Sequence, residues 1–161
     1  MSADTTIHFD GRERAAELAI SLIQLAKSSI CFFGMTLDNV LLDHAEVVTS
    51  LSAFSRRTSH AQARFLVQDS QLAISQGHRV IALAQKLTSS IEIRAVSEQY
   101  KAIKQTFLLI DDDAYLYGQI AGRYLGRASF DDVSENRQLQ QLFNTVWDHG
   151  SPDLMTRRLT L

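Results

Sequence analysis

The chain has 161 residues, 45% hydrophobic and 21% charged, with a formal net charge of −2. That suits one globular domain with a real core over 1–161, and it excludes a global basic field of the kind that drives non-specific nucleic-acid binding. The single cysteine, Cys31, lies in the apolar run "SICFFG"; it reads as a small buried hydrophobe and cannot form an internal disulfide.

The opening "MSADTTIHFDGRER" is polar and carries acids early, unlike a signal peptide, and no apolar run approaches the length of a membrane span. A cytoplasmic protein with no membrane contact is expected. Ala15, Leu18, Ala19, Leu22, Ile23 and Ala26 recur at helical spacing and predict an amphipathic helix over 11–27. "SSICFFG" predicts a buried strand at 29–34, and 35–45 reads as irregular. Val47, Val48, Leu51 and Phe54 predict a helix at 46–57, and "ARFLVQD" a strand at 62–68. After a short turn and Gly77, a helix is expected at 78–88. "SIEIRAV" alternates strictly, which predicts a half-buried strand near a sheet edge.

Two further strands, 105–110 and 114–118, fold over the acidic turn Asp111–Asp112–Asp113, and "RYLGRAS" offers another extended segment. The last helix, 133–148, carries Leu139, Leu142, Phe143, Val146 and Trp147; Asp132 and Glu135 have capping-box spacing. Pro152 marks the end of helical structure, with 150–161 as a tail beyond a core of about 12–148. The order of elements predicts an α/β fold: a mixed, mostly parallel sheet flanked by helices, with a C-terminal hairpin and a closing helix.

"KQTFLLIDDDAYLYG" (104–118) is where known chemistry comes closest. Strand, acidic turn and strand ending in glycine resemble one half of the phospholipase D-like fold. The motif of that superfamily is His, any residue, Lys, four residues, Asp, then a hairpin into Gly-Ser-any-Asn. Its Asp falls on Asp111 and its glycine on Gly118. Its His position holds Lys104, its Lys position Thr106, its Ser position Gln119 and its Asn position Ala121. The "VQDS … GHR … IEIR" run is similar to bacterial phospholipase D-like domains, some fused to acetyltransferases, and that likeness implies no known activity. The resemblance implies a degenerate half-fold. In the family an imidazole attacks phosphorus; a lysine ammonium has no free lone pair for that, and Thr106 cannot supply the cation that steadies the phosphoryl oxygens.

A second constellation is "QDSQLAISQGHR". Asp69 and Ser70 leave a strand at its carboxyl end, where open α/β sheets hold ligands, and His78 and Arg79 open a helix. Asp69 is expected to hold the His78 imidazole, and Arg79 to offer a fork for a small anion. The competing reading makes these residues a cap and a surface pair. His8, His44, His60 and His149 show no metal spacing, so no metal or cofactor is expected. "FSRRTSH" with Arg64 forms a basic cluster, more simply a helix C-terminus than a nucleic-acid contact.

The leading expectation is a non-catalytic domain binding a partner protein or a small anion, with a homodimer open. The alternatives are a divergent phosphoesterase using Asp69, His78 and Asp111, and a nucleic-acid-binding module on the Arg56–Arg64 cluster.

Overall fold

A computed structural model describes residues 5–153, except the side chain of Leu72. In chain order the elements are β1 (Ile7–Asp10), α1 (Arg12–Leu25), β2 (Ser29–Gly34), α2 (Asn39–Leu42), α3 (Ala45–Arg57), β3 (Gln62–Val67), α4 (Gln71–Ser75), α5 (Arg79–Lys86) and β4 (Ile91–Ala95). A 3-10 turn at Glu98–Tyr100 leads to β5 (Thr106–Ile110), β6 (Ala114–Gly118), β7 (Leu125–Ser129), α6 (Val133–His149) and β8 (Ser151–Pro152). They form an eight-stranded mixed sheet, in the order β1-β7-β6-β5-β2-β3-β4-β8.

The alternation of side chains across each strand divides the core. In β2, Ile30 and Phe32 point to one face, and Cys31 and Phe33 to the other. The first face is covered by α1, α2, α3 and α5 through Leu22, Leu42, Leu51, Phe54 and Val80. The second is covered by α6 through Leu139, Phe143, Val146 and Trp147. Strands buried on both sides have no polar face, which is why β2, β5 and the second half of β3 read as continuous apolar runs. β4 alternates and lies one strand from the edge, beside the two-residue β8. Trp147, 5% exposed, stacks on Phe143 at 5.6 Å, and the Arg94 guanidinium lies 4.2 Å from its ring centre.

Among the described residues only β2–β3 and β3–β4 are parallel; the other five pairings are antiparallel. The sheet is therefore mixed, as expected, but less parallel than expected. The physical reason is the return of the chain: β5, β6 and β7 are joined by short turns, and β1 adds antiparallel to β7 at the far edge. Two further differences are local. Residues 35–45 contain α2, capped by the Asp38 carboxylate, which accepts from the Val40 and Leu41 amides. At α6 the Asp132 carboxylate accepts from the Glu135 amide at 3.1 Å, but the Glu135 carboxylate turns to Arg127 at 2.7 Å, so the reciprocal half of the capping box is replaced by an ion pair. Past Asp153 the tail lies outside the described residues.

Candidate functional site

Asp111 ends β5 in the left-handed region, at φ 52°. Its carboxylate accepts from the backbone amides of Lys27 (3.1 Å), Ser28 (2.8 Å) and Ser29 (3.1 Å) and from the Ser28 hydroxyl (3.2 Å). Its own amide donates to the Ser29 carbonyl. Asp111 thus ties the acidic turn to the loop between α1 and β2. Beside it, burial and then the charges of Asp112, Asp111 and Asp131 raise the Asp113 carboxyl above its ordinary range.

Asp69, Ser70, His78 and Arg79 lie past the carboxyl end of β3. The Asp69 amide bonds to the Met35 carbonyl, just past β2, and its carboxylate accepts from the Gln71 amide at 2.9 Å. Ser70 is buried, with its carbonyl on the Ile74 amide. His78 is 3% exposed; its Nδ1 accepts from the Val80 amide at 3.1 Å, so it is the N-cap of α5. Nε2 is buried near the Leu37 carbonyl without a hydrogen bond of good geometry. Burial lowers the imidazole below its ordinary value, against the raising charges of Asp43 and Asp38. No hydrogen bond joins Asp69 to His78; the acids whose charges act on the ring are Asp43 and Asp38. Arg79 pairs with Asp43 at 3.1 Å, and its amide donates to the same carboxylate at 3.2 Å. Burial would raise Asp43, but these bonds, with the His78 and Arg79 charges, bring it below its ordinary value.

The residues of the divergent phosphoesterase reading lie apart. Asp111 bonds at the start of β2, and Asp69 at its end. Six strand residues, roughly 20 Å, separate them, so Asp111 cannot meet Asp69 and His78 around one phosphorus. The Arg56–Arg64 cluster also divides. Arg56 and Arg57 end α3 on one side of the sheet, while Arg64 lies on the other, 5.1 Å from the Phe143 ring centre, with Nη2 3.3 Å from the Cys31 sulfur.

The positions aligned with the phospholipase D motif, Asp111 apart, gather at the end of the sheet opposite Asp111. Thr106 pairs with Gly118, and the Ala121 amide donates to the Lys104 carbonyl at 2.8 Å. Of these positions Thr106 and Ala121 line a cleft of about 220 Å³, whose walls also include Thr36, Asp38, Asn39, Gly122 and Tyr124. Lys104 itself is exposed, with its ammonium turned to the Lys101 carbonyl. Asp38 is 9% exposed and receives the Tyr124 hydroxyl at 3.1 Å. Burial pushes the Asp38 carboxyl up, opposed by the Leu41 amide, the Tyr124 hydroxyl, the Val40 amide and the Arg12 charge. Burial and the adjacent Asp38 push the Tyr124 phenol up to about 12. Tyr124 is itself left-handed (φ 48°), its carbonyl takes the Gly11 amide at 2.8 Å, and the Arg12 guanidinium lies 5.4 Å from its ring centre.

Asp38 and Tyr124 were not singled out from the sequence. Asp38 carried a signal, an aspartate just before the apolar "VLL", which is the pattern of an N-cap. Tyr124 carried none, since its partner is 86 residues away. Among the described residues no three His, Cys, Asp or Glu gather closely enough to hold a metal ion, and no helix is long and apolar enough to cross a membrane.

The fold has solved counterparts. TrmBL2, described as an archaeal chromatin protein with a novel mode of DNA binding, superposes with a TM-score of 0.67 at 12% identity, over 95% of this chain and 56% of that one. The present chain therefore spans little more than half the length of TrmBL2. Nuc of Salmonella typhimurium, a phospholipase D family member, gives 0.61 at 15% identity, over 92% of this chain and 97% of that one. NucT of Helicobacter pylori gives 0.63 at 13% identity, over 92% and 98%. Identities this low establish the fold, which is phospholipase D-like, and nothing of activity. No curated protein matches by sequence. A family model described as a domain of unknown function, DUF7931, matches residues 11–159, and the chain belongs to that family.

Proposed function

We propose that this domain acts by binding and does not hydrolyse phosphodiesters. The observation that supports this most is the composition of the cleft: no His, Cys, Lys or Arg is among its lining residues. Lys104 occupies the position of the family's nucleophile with its ammonium turned away, and Thr106 stands where the family has a cation. Asp38 is the acid in the cleft, and its donors are two helix amides and a phenol, so it is held as a cap and a tether. Phosphoryl transfer needs a nucleophile and stabilisation of developing negative charge, and this lining supplies neither. The cleft instead offers a partner protein or small molecule a recess with a few polar groups.

The test is turnover of bis-nitrophenyl phosphate by the purified full chain. No hydrolysis above buffer is expected; activity that co-purifies and is lost in Lys104→Ala would overturn the proposal.

One observation favours a second binding reading, a small anion at Arg79. Its side chain is 55% exposed, and Nη1 is the only atom of its guanidinium with a hydrogen bond among the described residues.

A further inference from the structure

His78 joins the first turn of α5 to the loop that forms one wall of the cleft. Its Nδ1 accepts from the Val80 amide at 3.1 Å, so the ring is neutral and carries its hydrogen on Nε2. Nε2 faces the Leu37 carbonyl without a hydrogen bond of good geometry. Leu37 sits between Thr36 and Asp38, which line the cleft. The ring is therefore packed, at 3% exposure, between a helix N-terminus and the back of the cleft wall.

A second proton is incompatible with this arrangement. On Nδ1 it would point at the Val80 amide hydrogen, donor against donor, and a buried amide would lose its acceptor. The charged groups that act on the ring are Asp43 and Asp38, which attract the proton, and Arg79, which repels it. An imidazolium gains an acceptor only by turning toward one of these two carboxylates. Both belong to α2, Asp38 as its N-cap and Asp43 as its C-cap. Both are already engaged, Asp43 by the Arg79 amide and guanidinium and Asp38 by Val40, Leu41 and Tyr124. Either turn withdraws the ring from α5 and pulls on the segment that carries the cleft wall.

We infer that His78 is a proton-operated latch on the cleft. Neutral, it holds residues 35–43 against α5; protonated, it leaves the Val80 amide and lets the wall at residues 36–39 shift. The bearing of this movement on ligand binding rests on the binding reading above; the movement itself does not.

The test is a pH titration of the full chain from about pH 7.5 to about 5, followed in the NMR shifts of the backbone amides and the imidazole carbons. The His78 ring, the Val80 amide and the amides of Thr36 and Asn39 should move together, with one midpoint below the ordinary 6.5. In His78→Asn, whose side-chain oxygen caps α5 without titrating, the Val80 and wall amides should stay still. The inference is overturned if the wall amides do not share the midpoint of the ring, or if the ring keeps its neutral shifts down to acid unfolding. Wall movement that persists in His78→Asn also overturns it, and assigns the titration to Asp38. The wild-type midpoints decide the matter even where the variant folds poorly. None of these outcomes touches the binding reading, which phosphodiester turnover is what would overturn.

Discussion

Replacing Asp111 separates an anchoring role from a chemical one. In Asp111→Ala three backbone amides and one hydroxyl lose their acceptor. The Lys27 and Ser28 amides are exposed and can turn to water, while the Ser29 amide is partly buried. At about 0.5–1.5 kcal/mol per hydrogen bond, four bonds sum to about 2–6 kcal/mol, and with the exposed donors free to turn to water the loss falls at the low end, roughly 2–3 kcal/mol. Alanine also tolerates φ 52° less well than aspartate, adding up to about 1 kcal/mol. The expected loss is therefore about 3 kcal/mol for Asp111→Ala, and about 1 kcal/mol or less for Asp111→Asn, which keeps Oδ1 and tolerates the left-handed backbone. Asp111→Gly should fall between them, because it loses the carboxylate but relieves the backbone. Urea denaturation followed by Trp147 fluorescence and far-UV circular dichroism measures all three. Asp111→Ala within about 0.5 kcal/mol of the wild type, or Asp111→Asn as damaging as alanine, would refute the reasoning.

His78 makes the fold acid-sensitive. Its folded value lies below the ordinary 6.5 because burial opposes the charge, so below that pH the unfolded chain takes up a proton more readily than the folded one. Its contribution is complete above about pH 6.5 and declines as pH falls, because a protonated Nδ1 cannot accept from the Val80 amide. The urea midpoint should fall between pH 7 and 5.5, and His78→Asn, a cap that does not titrate, should flatten that slope; an equal slope in both proteins refutes the assignment. For the anion reading, Arg79→Ala should abolish any phosphate-induced rise in melting temperature. The ligand-free value should change little, since an exposed pair contributes under about 1 kcal/mol. A rise that persists in the variant places the anion elsewhere.

The sequence by itself determined the elements whose signal is local. The apolar runs of β2, β3 and β5, the helical period of α1, α3 and α6, and the alternation of β4 each record how many faces that segment buries, and burial is written residue by residue. The phospholipase D-like fold followed from their order. What only the tertiary structure decided is which polar groups meet. β1 pairs with β7 across more than a hundred residues, a choice its four residues do not encode. Asp69 and Asp111 both follow strands, yet β3 runs parallel to β2 and β5 antiparallel to it, so the two aspartates leave the sheet at opposite ends. Asp38 and Tyr124 close the cleft because β5, β6 and β7 fold back and return the loop before β7 to the carboxyl end of β2. Hydrogen bonds act over about 3 Å. Their partners are therefore chosen by the packing that brings distant segments together, not by spacing along the chain.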